Sequence, residues 1–541
     1  MKTSLLSRVV TLLAFVIASV IVFWRTQRYG MVHDFLGWLM KYSEGSWADV
    51  WNGFGYFGLH PVFHIINYGT FRLFGHNQLA WCIVFACLHG LTAFLLFIFL
   101  KNVCSSFNIK HGFWIALFST LGFLLGPYQT EVVTWKACMH YLLTTIFFLS
   151  GMILFFKYML GYYKKSYVIA HHTLFIAALL TLEVNLAMPF IILAFAIACT
   201  KLENWDWSKY LTRFFVIHIL IVILYFLANK MILGEWVGHY GAEKHLNFSP
   251  QLLAANGFRY FTKYTLLTHF WSFNLRGLVY ESIGSWYVLG ALLTMIGSIL
   301  VFARKKIYNN NNLLLSAAFL VMFFMALFPI ANLYFMYIMP FQNDRYGFLA
   351  SLFFYPFIFL LAFSLPNFLR YAAAIVILIV HIYYGMLNIQ KCNEAGQLID
   401  NLITTYKWYD EPEVRLLSLP DNYQGLFLYA DYHAGSAETF IEALDLFGSQ
   451  KVAGNIDEYS HFNQVTLQDS FKYQMTQDTF TVEFKQYGNW FWRNNIGFIN
   501  YETDEVKATR ANNILRVELK DTTERTYLIP QGGAWQQVYL R

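Results

Sequence analysis

Carboxylates near the ends of apolar segments are the first residues here that suggest chemistry, because an ionised group at a membrane edge is costly. Four of them fall on the same predicted side of the membrane: Asp34, Glu131, Glu183 and Asp344. Taken singly, each is better explained as a solvated loop charge or a structural ion pair. Four on one side favour a shared polar cavity.

Glu131 and Trp135 stand one helical turn apart in Gly126-Pro-Tyr-Gln-Thr-Glu131-Val-Val-Thr-Trp135. If the segment after Pro127 is helical, the two side chains share a face. A carboxylate beside an aromatic surface suits a sugar ring, which has hydroxyls at its edge and apolar C–H groups on its face. The alternative is a tryptophan that anchors the membrane interface, with a capping glutamate nearby.

Arg345 follows Asp344 and lies just ahead of a long apolar run. A guanidinium at the start of a helix, where free N–H groups and the positive end of the dipole also point outward, is a good receiver for a phosphate. The alternative is a snorkelling anchor paired with Asp344. Lys136, Arg259 and Lys263 are further candidates for the phosphate, although all three are more typical of surface anchors.

Histidines are numerous but poorly spaced for a metal site. His60 and His64 are one helical turn apart, and His171 and His172 are adjacent. Neither pair has a third ligand close in sequence, so a zinc site is not favoured. The chain also lacks a Walker lysine loop, a glycine-rich dinucleotide turn and a serine elbow, so a nucleotide-powered reaction is not supported.

The composition is that of a polytopic membrane protein. Of 541 residues, 57% are hydrophobic and only 13% are charged, whereas soluble domains carry about a quarter charged residues. A membrane-spanning helix needs about 20 apolar residues, and that rule predicts about 11 spans. They are Val9 to Trp24, Leu79 to Leu100, Gly112 to Leu125, Tyr141 to Met159, Ile169 to Leu182, Ala187 to Cys199, Phe214 to Leu233, Trp286 to Phe302, Leu313 to Ala331, Gly347 to Leu365 and Tyr371 to Leu387.

Basic residues set the predicted orientation. A cytoplasmic N-terminus places most lysines and arginines between spans on the inside, among them Lys164, Lys165, Lys209 and Arg213, as the positive-inside rule requires. The net charge of +6 therefore reflects topology and not a nucleic-acid-binding patch. With an odd number of spans, everything after Leu387 lies on the outer face.

Two outer loops are long in this topology, at 25–77 and 234–285. The first is dense in aromatic residues, which suits amphipathic helices lying in the interface. The second contains the aromatic stretch 258–273, which is open to three interpretations: interfacial, re-entrant or an extra pair of spans.

The composition after Leu387 becomes that of a soluble domain. Alternating apolar and polar residues predict strands at Thr479 to Phe484 and Leu515 to Leu519, and Ser436 to Leu446 predicts an amphipathic helix. Gln531-Gly532-Gly533 is typical of a turn. The predicted fold is thus a polytopic α-helical membrane module over residues 1–390, followed by an extracytoplasmic α+β domain over 391–541.

Within that second domain lies an aromatic cluster. Its members are Tyr487, Trp490, Phe491 and Trp492. Glycan contact is one interpretation, but packing in a core is favoured.

Four motifs follow one another along the first 390 residues. They are His33-Asp34 with Gly58-Leu-His60-Pro61, the segment from Gly126 to Trp135, Leu182-Glu183 ahead of Met188-Pro189, and Asp344-Arg345-Tyr346. In this order the chain resembles the polytopic GT-C glycosyltransferases, above all the transmembrane and tetratricopeptide-repeat O-mannosyltransferases and their bacterial relatives. Phe35 stands where those relatives often carry a second acid, and no tetratricopeptide repeats follow.

The resemblance implies a GT-C-like fold of about 11 transmembrane helices and the transfer of a sugar from a polyprenyl-phosphate donor. It makes Asp34 the base that takes the proton of the attacking hydroxyl, and Arg345, with Lys136, the group that stabilises the leaving phosphate. Glu131 is then a second catalytic residue that orients the acceptor, the sugar or a divalent cation. The remaining residues expected to contact substrate are His60, Trp135, Glu183, Asp344 and Tyr346.

The same resemblance implies an acceptor that is a protein, a lipid or a glycan, with inversion at the sugar carbon. It places the protein in the bacterial inner membrane among membrane lipids, with its active site and C-terminal domain on the periplasmic side. Two other classes stay open: a transporter or flippase for a lipid-linked or anionic solute, and a non-catalytic scaffold. A transporter predicts charges at the midplane and inverted halves, and this chain has neither pattern.

Overall fold

A computed structural model describes most of the chain. The described residues are 5–48, 58–203, 205–236, 249–332, 343–429, 437–464, 466–467, 471–476, 478–484, 500–511, 514–520 and 525–539. Residues 49–57 and 237–248 of the two long outer loops lie outside these ranges, as does the predicted aromatic cluster at 487–492.

The apolar runs fold into helices, since a helix satisfies its own backbone hydrogen bonds where no water is present. In chain order the described helices are α1 Leu5–Phe23, α2 Asp34–Glu44, α3 Pro61–Phe74, α4 Gln78–Ser106, α5 Gly112–Leu125, α6 Thr130–Thr134, α7 Met139–Met159, α8 Lys165–Leu179, α9 Met188–Cys199, α10 Trp207–Tyr210, α11 Val216–Leu233, α12 Pro250–Leu266, α13 Phe273–Ile283, α14 Trp286–Asn309, α15 Asn311–Leu327, α16 Phe348–Phe363, α17 Asn367–Thr405 and α18 Glu438–Phe447.

Seven helical segments among the described residues are long and apolar enough to cross a membrane. An eighth is formed if Leu275–Ile283 and Trp286–Ser298, which are bent by 74°, count as one span. Each predicted span coincides with a helix, although three of those helices are shorter: α5, Glu183–Cys199 and α8. The protein is therefore an integral membrane protein with many membrane helices, as the sequence predicts.

The aromatic stretch 258–273 forms the second half of α12 and the turn that follows it. Tyr260, Lys263 and Tyr264 on this helix are buried. The Tyr264 hydroxyl donates to the carbonyl of Gly347 at 2.9 Å. This face of α12 thus packs beneath the start of α16.

Helix α17 joins the two parts of the protein. It runs for 39 residues from Asn367 to Thr405 without a break, so it passes through the predicted boundary at residue 390. The indole N–H of Trp535 donates to the carbonyl of Leu402 at 2.9 Å. The C-terminal domain is therefore attached directly to the end of this helix.

The C-terminal domain contains the predicted strands and helix. Its described strands are β1 Glu413–Leu416, β2 Leu419–Tyr423, β3 Leu426–Phe427, β4 Asn455–Glu458, β5 His461–Gln464, β6 Phe471–Thr476, β7 Thr479–Phe484, β8 Tyr501–Glu502, β9 Val506–Ala511, β10 Ile514–Leu519, β11 Thr526–Gln531 and β12 Ala534–Val538. They form three sheets with strand orders β12-β11-β1-β4, β6-β7-β10-β9-β8 and β3-β2-β5. In the first sheet β1 is parallel to both β11 and β4.

Alternation explains why these segments become strands. In β10 the side chains of Leu515, Val517 and Leu519 are buried, while the residues between them are exposed. Gly532 and Gly533 both have positive φ, at 60° and 77°. They connect β11 to β12 through a tight hairpin that favours glycine.

The C-terminal domain packs on the first outer loop. A Cβ placed on Gly37 of α2 would lie 3.2 Å from Oε1 of Glu442 in α18, so the two helices approach closely. The ring of Phe427 lies 4.8 Å from His33 and 4.9 Å from Trp135, measured between centroids. This packing brings the domain to the segment that contains Asp34.

Candidate active site

Glu131 and Arg345 form an ion pair at the centre of the candidate site. Oε1 of Glu131 accepts from Nη1 of Arg345 at 2.5 Å, and Oε2 accepts from the backbone N–H of Arg345 at 2.6 Å. The Glu131 side chain is 4% exposed and that of Arg345 is 14% exposed. Two charge-assisted hydrogen bonds from one carboxylate fix both the side chain and the backbone of Arg345.

Local sequence explains how the two groups meet. Pro127 begins a short 3₁₀ turn, and the one-turn helix α6 then carries Glu131 before the chain turns again at Trp135. Arg345 begins a 3₁₀ turn that leads directly into α16. The Glu131 carboxylate therefore accepts a backbone N–H at the beginning of a helix, where N–H groups lack partners and the dipole favours negative charge.

Two aromatic rings contact the guanidinium of Arg345. Its central carbon lies 5.0 Å from the ring centre of Trp135 and 4.6 Å from that of Tyr346. Nη2 also donates to the Tyr346 hydroxyl at 3.2 Å. Cation–π contacts of this kind stabilise a cation away from bulk water, so the plane and direction of the guanidinium are well defined.

Asp344 is paired with Lys263 of α12 and not with Arg345, so the alternative interpretation of Arg345 as an anchor paired with Asp344 is wrong. Both side chains are buried, and Nδ1 of His269 lies 3.7 Å from Oδ1 of Asp344. Burial raises the pKa of the Asp344 carboxyl to about 7, although the Lys263 ammonium acts in the opposite direction. This second pair lies directly beside Arg345 in the chain.

The sequence context of Lys136 and Lys263 predicts surface anchors. The structure contradicts that prediction, because both side chains are buried. Nζ of Lys136 donates to the carbonyl of Val133 at 3.3 Å and lies 4.8 Å from the ring centre of Phe85. Its backbone N–H donates to the carbonyl of Gly30 at 2.9 Å. In this arrangement Lys136 connects the segment around Trp135 to the first outer loop.

Asp34 lies at the start of α2 and remains accessible. Its side chain is 45% exposed, and Oδ1 lies 2.7 Å from Nδ1 of the buried His33, an ion pair when that imidazole is protonated. Burial lowers the pKa of His33, but the Asp34 carboxylate outweighs this effect and the net pKa is raised. His33 also has a φ of 54°, a strained conformation for a residue other than glycine.

Trp135 connects Asp34 to the Glu131–Arg345 pair through His33. The His33 ring meets the indole edge-on at 5.8 Å, and Arg345 lies over the same indole. The positive charge of Arg345 opposes the effect of Asp34 and acts to lower the pKa of His33, as expected for groups that interact at short range. The indole N–H donates to the carbonyl of Val32 at 3.1 Å, and this bond fixes the ring against the first outer loop.

His60 and Glu183 are brought together as a separate pair. Nε2 of His60 lies 2.7 Å from Oε2 of Glu183, and both side chains are largely buried. Gly58 covers them with a φ of 151°, and a Cβ at this position would lie 2.7 Å from Cε1 of His60. The first outer loop is thus closed over the segment that follows α8.

Sequence reasoning named His33 only within the His33-Asp34 motif and Lys263 only as a secondary candidate or surface anchor, and it missed Phe427. His33 is adjacent to Asp34, and that adjacency was the available signal. Lys263 and Phe427 come from distant segments, and their placement depends on how α12 and the C-terminal domain pack. A divalent cation beside Glu131 stays a prediction, because the one cluster of three metal-ligand side chains in the described part of the chain lies elsewhere, at His171, His172 and His218.

These observations define a membrane protein with a buried charged site between its loops and an accessible carboxylate beside it. Among solved structures, the chain is similar to ArnT from Cupriavidus metallidurans. The apo state matches with a TM-score of 0.34 and 15% identity, covering 80% of this chain and 84% of ArnT. The form bound to undecaprenyl phosphate matches with a TM-score of 0.32 and 11% identity over the same shares.

The likeness to ArnT extends over most of both chains. At these values it does not identify the reaction. No protein-family profile matches the sequence, and no curated protein matches it.

Proposed function

We propose that this protein is a GT-C-type glycosyltransferase that moves a sugar from a polyprenyl-phosphate donor to a protein, lipid or glycan acceptor. The reaction takes place at the periplasmic face of the bacterial inner membrane. The observation that supports this function best is the arrangement around Trp135. The buried cation of Arg345 contacts this indole, and so does His33, the partner of the accessible Asp34.

Asp34 is the proposed base. Its exposure lets an acceptor hydroxyl reach the carboxylate, and the close contact with His33 restrains the carboxylate. As the hydroxyl oxygen attacks the anomeric carbon, its proton passes to Asp34. The bond between the anomeric carbon and the phosphate oxygen breaks, and its electron pair leaves with the phosphate. Attack from the opposite face inverts the configuration at that carbon.

Arg345 is the proposed receiver of the leaving phosphate. A guanidinium can serve a carboxylate and a phosphate together, because its five N–H donors form a rigid planar fork. A fixed cation stabilises the negative charge that grows on the phosphate. The contacts with Glu131, Trp135 and Tyr346 fix this cation before substrate arrives.

Glu131 acts through Arg345 in this proposal and is a positioning residue. Its two hydrogen bonds to Arg345 support that role better than direct contact with the acceptor. The Asp344–Lys263 pair holds the residue just before the 3₁₀ turn that begins at Arg345. Trp135 and Tyr346 contribute aromatic surface to the donor site, and His60 and Glu183 hold the first outer loop closed around it.

The test uses full-length protein in proteoliposomes with a panel of polyprenyl-phosphate sugars that carry a radioactive label. Asp34→Asn keeps the size and removes the base, so we expect transfer to fall by about 100-fold or more while binding of polyprenyl phosphate is retained. Arg345→Gln should lose binding as well. Exposed residues supply the matched controls, Asp410→Asn and Arg72→Gln, and both should behave as the unmodified protein.

Transfer at the normal rate by Asp34→Asn would exclude Asp34 as the base. If the unmodified protein neither binds polyprenyl phosphate nor transfers any sugar of the panel, the proposed function is wrong. Unchanged binding by Arg345→Gln would remove the phosphate from this part of the molecule.

A further inference from the structure

Three histidines from two helices converge away from the candidate active site. His171 and His172 lie on α8, and His218 lies on α11. Each offers one ring nitrogen, and the three nitrogens lie within 4.8 Å of one another. We propose that they form a binding site for a divalent transition metal of the zinc type.

Hydrogen bonds fix the direction of two of the rings. Nδ1 of His171 lies 2.9 Å from the carbonyl of Gly151, and Nε2 of His172 lies 2.9 Å from the carbonyl of Arg213. A carbonyl oxygen only accepts, so each of these nitrogens carries the proton. The lone pairs are then on Nε2 of His171 and Nδ1 of His172, the atoms available to a metal. Histidine ligands in metal sites commonly donate their other N–H to a carbonyl in this way.

The third histidine completes the set. Nε2 of His218 lies 2.7 Å from Nε2 of His171, so without a metal it donates its proton to that lone pair. For a tetrahedral zinc ion with Zn–N bonds of about 2.0–2.1 Å, two ligand nitrogens stand about 3.3 Å apart. The two rings would therefore separate slightly on binding, and His218 would carry its proton on Nδ1.

The site contains buried nitrogen atoms with unused hydrogen-bonding capacity. Nδ1 of His172 and Nδ1 of His218 are buried and have no hydrogen-bond partner in the described part of the chain. Leaving such atoms unsatisfied costs free energy. A metal on Nδ1 of His172 satisfies one of them directly, and three neutral imidazoles form a ligand set that suits zinc, copper, nickel or cobalt.

The backbone around the site is also unusual. Residues Leu211–Phe215, just ahead of α11, form a single π turn, a feature frequently found at functional sites. This turn supplies the Arg213 carbonyl and the ring of Phe214, whose centre lies 5.2 Å from His171 and 5.8 Å from His172. Because His172 is only partly buried, an ion can enter from its side and keep a water molecule as a fourth ligand.

The position on α8 separates this site from the sugar-transfer site. His171 lies in the half of α8 that begins at Lys165, whereas Glu183 follows the opposite end of the helix. From His171 to the end of α8 at Leu179 is eight residues of helix, or about 12 Å. The metal would thus join α8 to α11 at the predicted cytoplasmic end, and the inference does not depend on the proposed function.

The experiment titrates Co²⁺ into the full-length protein, purified in detergent with a tag that contains no histidine. Tetrahedral Co²⁺ bound to imidazole nitrogens gives visible absorption bands that are sensitive to geometry, so the probe reports the site itself. We expect one equivalent of Co²⁺ to bind, zinc to displace it, and zinc to raise the melting temperature by mass action. His172→Ala, a change at a partly exposed position, should weaken binding at least tenfold.

Two further variants make the result decisive. His111→Ala changes a histidine near the surface that lies outside the cluster and should bind Co²⁺ normally. His218→Gln keeps a polar side chain in the core and should abolish the visible bands, with its folding checked by size-exclusion chromatography. The proposal is overturned if the unmodified protein takes up no Co²⁺, or if His172→Ala and His218→Gln bind it as tightly as His111→Ala.

Discussion

Glu131 binds Arg345 through both of its carboxylate oxygens, one to the guanidinium and one to the backbone N–H. The two residues are 214 positions apart in the chain, so this one side chain joins the short helix α6 to the start of α16. Removing the charge from one partner leaves the other buried and unpaired, which is strongly destabilising.

Glu131→Gln should therefore lower the stability of the membrane module by about 3 kcal/mol. Thermal unfolding in detergent measures the change, and Glu44→Gln, on the exposed end of α2, is the matched control. The double variant Glu131→Gln with Arg345→Met should lose less than the sum of the two single losses, because it removes the unpaired cation as well. Additive losses would show that the pair is not coupled.

The pH dependence of stability should report on Asp344. Burial raises its pKa from 3.8 to about 7 in the folded protein, so the fold favours the protonated carboxyl. The resulting stabilisation is complete below the ordinary pKa and is lost as the pH rises through about 7. Asp344→Asn should remove this part of the slope, which is at most about 1.4 kcal/mol per pH unit.

Melting temperatures of Asp344→Asn and of the unmodified protein, measured from pH 4 to pH 8, test this expectation. Asp410→Asn, at an exposed position, should leave the slope as it is. Parallel curves for Asp344→Asn and the unmodified protein would mean that Asp344 keeps its ordinary pKa in the fold.

Phe427 should be required for the docking of the C-terminal domain. Its ring contacts His33 and Trp135, and its carbonyl accepts from the hydroxyl of Tyr29 at 3.1 Å. Phe427→Ala should cost about 2 kcal/mol and increase hydrogen exchange in residues 29–36. Ile514→Ala, at an exposed apolar position, should change neither quantity, and unchanged exchange in Phe427→Ala would place the docking contact elsewhere.

Gly58 should tolerate no side chain. Its φ of 151° is unfavourable for other residues, and a Cβ would clash with His60. Gly58→Ala should lower stability by about 2 kcal/mol. Gly69→Ala is the control, since nothing lies within 4 Å of a Cβ there and alanine favours a helix interior. Equal melting temperatures for the two variants would contradict the expected clash.

Sequence patterns predict the helices and strands of this protein better than they predict the contacts between side chains of distant segments. Apolar runs predict the helices, alternation predicts β10, and Gly532-Gly533 predicts its hairpin, since each property is local. The Asp344–Lys263 pair and the approach of His218 to His171 depend on packing between distant helices, which no spacing in the sequence encodes. Opposite charge and adjacency in the sequence suggest Arg345 as the partner of Asp344. In the fold, Asp344 pairs instead with Lys263 of α12.

The unbroken helix α17 determines the order in which the protein can assemble. Its last turn accepts a hydrogen bond from Trp535 in β12, and β1 pairs with β11 near the end of the chain. The sheet that rests on the helix therefore lacks two strands until residues 526–538 have been synthesised, because contacts between distant segments form late. A ribosome that stops before residue 526 would leave a membrane module with an open sheet edge at its surface, a target for proteases and for aggregation.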